Sequence, residues 1–97
     1  ALALAAGLEG IREKIDPGEP YRENMYKKTP EELEALGVKL LPRTLEEAVD
    51  AFEADPLTKQ VFGPAMHEAW IDFKRDEWSS YHNHVSDWER DRYLKFF

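Results

Sequence analysis

The residues best suited to metal chemistry are His82, His84 and Asp87, clustered around Asn83. Histidines two positions apart share a side of an extended segment but not a face of a helix. A three-donor site therefore requires the chain to open out at Asn83. Zinc sites have clearer spacing than this, and the plainer reading is a polar hinge between two helices. His67 lies one position from an apolar stripe and reads as a surface or packing residue. The 20 Asp and Glu residues offer acid–base chemistry in principle. Most fall on first turns or outer faces of helices, where they favour the macrodipole and solubility. None is placed with another in a shared apolar pocket. The five glycines are dispersed and form no phosphate-cradling G-x-x-x-x-G-K-[ST] loop. Ser79, Ser80 and Ser86 are the serines, and none sits in a nucleophile elbow. There is no cysteine, which excludes a disulfide framework, Cys-zinc sites and thiol chemistry, and suits a cytoplasmic protein. Residue chemistry alone assigns no catalytic residue, cofactor or metal, and points to a scaffold or interaction segment.

The elements that position these residues come from 97 residues with 13 Lys and Arg, a net charge of −7. That length fits one small domain or a piece of a larger one, burying roughly 60–65% of its unfolded surface. With 42% hydrophobic residues, including 3 Trp, 4 Tyr and 5 Phe, the chain is too apolar to be disordered. The acidic balance argues against nucleic acid or an anionic membrane as a partner. No run approaches the ~20 apolar residues of a membrane span. The opening Ala-Leu-Ala-Leu-Ala-Ala is short and has no basic region before it, unlike a signal peptide. Beginning at Ala1 inside an apolar run, the chain reads as a fragment cut on its N-terminal side.

Helix signals recur along the sequence. Leu4, Leu8, Ile11 and Ile15 form one stripe of a first helix that Asp16-Pro17-Gly18 should end. Gly7 and Gly10 inside it suggest a closely packed neighbour. Residues 19–28 read as a loop with Tyr21, Met25 and Tyr26 as anchors. Thr29-Pro30-Glu31-Glu32 is a capping box opening a short helix that stops at Gly37. Val38 to Leu41 read as extended before Pro42. Thr44-Leu45-Glu46-Glu47 repeats the cap, with Leu45, Ala48, Val49 and Phe52 on one stripe. Asp55-Pro56 starts another short helix ended by Gly63, and Pro64 opens the longest one, to about His82. There Met66, Trp70, Phe73 and Tyr81 make one stripe, and Ile71 and Trp78 a second. Ser86-Asp87-Trp88-Glu89 caps a last helix carrying Trp88, Tyr93, Leu94, Phe96 and Phe97. No strand pair with a hairpin turn is visible. The expectation is an all-α segment of about five or six short-to-medium helices. Its tail puts four large apolar side chains on the last five residues, each worth ~1.5–3 kcal/mol when buried. That end is expected to dock on its own helices or on a partner.

In order and spacing the segments resemble the C-terminal end of glutamine synthetases. The carrying residues begin with Ala3-Leu4-Ala5-Ala6-Gly7-Leu8-Glu9-Gly10-Ile11, then Asn24-Met25-Tyr26 with Pro30-Glu31-Glu32. Leu41-Pro42-Arg43-Thr44-Leu45-Glu46-Glu47-Ala48 and Glu53-Ala54-Asp55 follow. Lys74-Arg75, Glu77-Trp78, Val85-Ser86-Asp87-Trp88-Glu89 and Arg92-Tyr93-Leu94 complete the set. The ending is most similar to the type III, or glutamine synthetase-like, branch, which includes γ-glutamylmethylamide synthetases.

The resemblance implies the C-terminal helical portion of an α+β catalytic domain, residues 1–97, with its catalytic β-structure absent. It implies a ligase that activates glutamate with ATP as γ-glutamyl phosphate, which ammonia or a small amine then displaces. Mg²⁺ or Mn²⁺ would neutralise the transferring phosphoryl group. The family's metal, nucleotide and catalytic residues lie upstream, so none is carried onto this segment. The resemblance places Tyr26 at the tyrosine adenylylated in some bacterial members; this sequence departs by having Lys27-Lys28 directly after it. It places Trp88, Tyr93, Leu94, Phe96 and Phe97 on the terminal helix that contacts a neighbouring subunit of a dodecamer. The implied partners are the rest of the catalytic domain and further copies of the enzyme. The rival expectation is a free-standing acidic helical interaction module.

Overall fold

The computed structural model describes residues 1–96; Phe97, one of the candidate subunit contacts, lies outside the described residues. Among those residues are six α-helices, two 3₁₀ turns and no strand. The helices are α1 (Leu2–Arg12), α2 (Pro30–Ala35), α3 (Leu45–Ala54), α4 (Pro56–Phe62), α5 (Pro64–His82) and α6 (Asp87–Tyr93). The all-α expectation holds. Two compact units divide them, Ala1–Arg43 and Thr44–Phe97.

In the first unit, α1 ends earlier than its stripe suggests. Glu13 is still helical, but Lys14 adopts φ 52°. The Lys14 N–H then donates to the Ile11 carbonyl at 3.3 Å and the Ile15 N–H to Gly10 at 3.0 Å. This is a Schellman closure with lysine in the left-handed position that glycine usually takes. Ile15 therefore leaves the stripe, and Asp16-Pro17-Gly18 forms a separate turn, with the Gly18 N–H on Asp16 Oδ1 at 2.9 Å. The neighbour expected at Gly7 and Gly10 is also missing: a methyl group at either would meet nothing within 4 Å.

α2 follows its signals closely. Thr29 Oγ1 accepts the Glu32 N–H at 3.3 Å, and Glu32 Oε2 accepts the Thr29 N–H at 3.1 Å. Gly37 at φ 73° closes the helix, with the Val38 N–H on the Leu33 carbonyl at 3.0 Å. Leu33 is buried.

The second unit is built on α3, α4 and α5, which pack on one another. Thr44 Oγ1 caps α3 through the Glu47 N–H at 3.1 Å, and Asp55 Oδ1 caps α4 through the Leu57 N–H at 3.0 Å. Gly63, at φ 80° and ψ 157°, both ends α4 and starts α5, so the chain reverses in one residue that glycine alone adopts readily. The apolar layer of these helices has Val49 buried on α3 and Ile71 buried on α5. Phe52, Phe62 and Trp70 extend it: Phe52 and Phe62 lie 5.4 Å apart, and Trp70 meets Phe62 edge-on at 6.2 Å. Arg75 ties α5 to α3 through Asp50 at 3.1 Å and through Glu53.

The two stripes of α5 differ in fate. Ile71 is buried and Trp78 half-buried, while Met66, Trp70, Phe73 and Tyr81 are exposed. The more aromatic stripe is the one left to solvent within this chain. α6 has both halves of its capping box, Ser86 and Glu89, and passes into a 3₁₀ turn over Leu94–Phe96.

Candidate functional site

Tyr26 sits in a 3₁₀ turn, Met25–Lys27, that Asn24 sets up by accepting the Tyr26 N–H on its side-chain oxygen at 3.0 Å. The Tyr26 side chain is 100% exposed, so it anchors nothing in this chain. The anchoring expected of it falls to its neighbours. Met25 is half-buried, and the Tyr21 hydroxyl donates to the Leu36 carbonyl at 2.7 Å. Lys28 pairs with Glu23 at 2.5 Å. The hydrogen bond and charge of Lys28 hold Glu23 below the usual carboxylate range, and those of Glu23 push Lys28 up. The loop is thus closed at both ends with the phenol presented at its tip.

The terminal segment presents the other candidate residues. Trp88 and Tyr93 meet edge-on at 6.1 Å, yet both remain more than half exposed, as do Leu94 and Phe96. They do not fold back into a core, the alternative left open by their spacing.

The histidines take three different roles. His82 ends α5 and stacks on Trp78 at 5.5 Å. His84 follows in the turn before α6, where its charge helps to hold Glu89 low; hydrogen bonds from the Ser86 backbone and hydroxyl do most of that. No group of three or more His, Asp or Glu among the described residues is placed to hold a metal ion. His67 is the buried one. Its ring stacks on Phe52 at 5.1 Å, and its Nε2 lies 3.0 Å from Thr58 Oγ1. That oxygen also lies 2.6 Å from the Phe52 carbonyl and 2.8 Å from the Asp55 carbonyl. The Thr58 proton must point at a carbonyl, since two bare oxygens that close would repel. His67 Nε2 therefore carries a proton and donates to Thr58. One hydroxyl joins α3, α4 and α5. This junction went unread in the sequence, although His67 continues the Ile71–Trp78 register by one turn.

The ATP and divalent cations implied by the resemblance do not fit these residues. Glu32 and Glu89 are taken up in helix caps, and Asp50 and Glu53 in an exposed ion pair with Arg75. No step of phosphoryl transfer is derived on this segment. No described helix is long and apolar enough to cross a membrane.

Comparison with known proteins supplies what the side chains do not. Over its 97 residues the chain is 41% identical to a glutamate–methylamine ligase of Methyloversatilis universalis, covering all of this chain and 22% of that protein. It is 43% identical over 94 residues to a glutamine synthetase of Archaeoglobus fulgidus, covering 97% of this chain and 18% of the relative. A Staphylococcus aureus glutamine synthetase is 40% identical over 95 residues, with 98% and 21% covered. The chain thus spans about a fifth of the length of these relatives, in their C-terminal portion. The family model described as glutamine synthetase, catalytic domain, matches residues 1–93, and the chain belongs to that family.

Proposed function

We propose that this chain is a structural and assembly segment of an ATP-dependent cytoplasmic ligase that joins glutamate to ammonia or a small amine through γ-glutamyl phosphate. In this reading it completes the catalytic domain and supplies subunit contacts of a homo-oligomer, a dodecamer in the fullest form. It holds no catalytic group and is inactive alone. Trp88, Tyr93, Leu94, Phe96 and Phe97 are the proposed subunit contacts, and Tyr26 is a candidate for covalent modification.

The observation that carries this reading is unburied surface. Among the described residues the buried hydrophobic ones are Leu33, Val49 and Ile71. The chain exposes 8865 Å². Even two separate compact bodies of roughly 5 and 6 kDa would together expose only about 7,000 Å². The excess is about 2,000 Å², and large apolar side chains such as Leu4, Ile11, Phe73 and Phe96 are among the exposed residues that call for cover. A free-standing interaction module accounts less well for a chain matched along 93 residues by an enzyme's catalytic-domain family.

Light scattering at several concentrations tests the assembly claim. The 97-residue chain should self-associate. Ending the chain after Asp87 in a full-length ligase that carries it should weaken the oligomer while leaving its catalytic residues in place. A strictly monomeric chain together with an unchanged parent oligomer would remove the claim. Adenylyl groups at Tyr26 would be sought by mass spectrometry of native enzyme.

A further inference from the structure

We draw no further inference here: the strongest candidate, the apolar cavity of about 220 Å³ between α3 and α5 with Lys74 in its lining, carries nothing, because Lys74 is already paired with Glu77 and nothing in the structure shows what fills the cavity.

Discussion

At the residue scale, the Thr58 hydroxyl links α3, α4 and α5 at one point. It was not legible in the sequence because a threonine inside a Pro-started helix looks like filler, and its partners are nine residues downstream and six upstream. Thr58→Val keeps the volume but strands the buried His67 N–H and should cost about 1–3 kcal/mol. Thr58→Ser keeps the hydroxyl and should cost less than that. Urea unfolding followed by circular dichroism compares the two; equal losses would mean that packing, not the hydroxyl, matters. Tyr26 was the opposite case. Its polar, Pro-flanked setting was readable, and so was a loop position, but spacing could not tell a packed anchor from a fully exposed tip.

At the element scale, caps were the most legible features because each is a local bargain between one side chain and one backbone group. Thr29, Thr44, Asp55 and Ser86 all cap the helices their sequences announce. The end of α1 was not legible, since Lys14 takes a left-handed conformation with no glycine to announce it. Replacing it should release strain: Lys14→Gly is expected to stabilise the α1 terminus by about 1 kcal/mol, read as slower amide exchange at Ile15. Glu89 gives α6 a pH dependence. Its hydrogen bonds from Ser86 lower its pKa, so the cap's contribution is complete above the ordinary carboxylate range. That contribution fades as pH falls through the lowered value. Acid titration by circular dichroism should show this loss of α6 helicity, and Glu89→Gln, neutral throughout, should remove that part of the curve. The choice between the stripes of α5 depended on tertiary context: periodicity gave both, but only packing on the neighbouring helices buries Ile71 and leaves Phe73 outside.

At the scale of the whole molecule, helix class and family were legible because they rest on patterns spread along the entire chain. The scarcity of buried residues was not, since composition reports how apolar a chain is and not whether its apolar faces meet. Leu4, Ile11, Phe73 and Phe96 are all well exposed, the surface on which the proposed assembly role rests. Glu32 and Glu89 complete helix caps, Asp50 and Glu53 pair with Arg75, and His67 packs in the buried junction of α3, α4 and α5. The central claim is that these 97 residues contribute surfaces and no chemistry. Calorimetric titration of the isolated chain with Mg²⁺ and with Mn²⁺, each with and without ATP, tests it most directly. Heats of dilution only are expected; saturable micromolar binding to the monomer would contradict a segment that contributes surfaces alone.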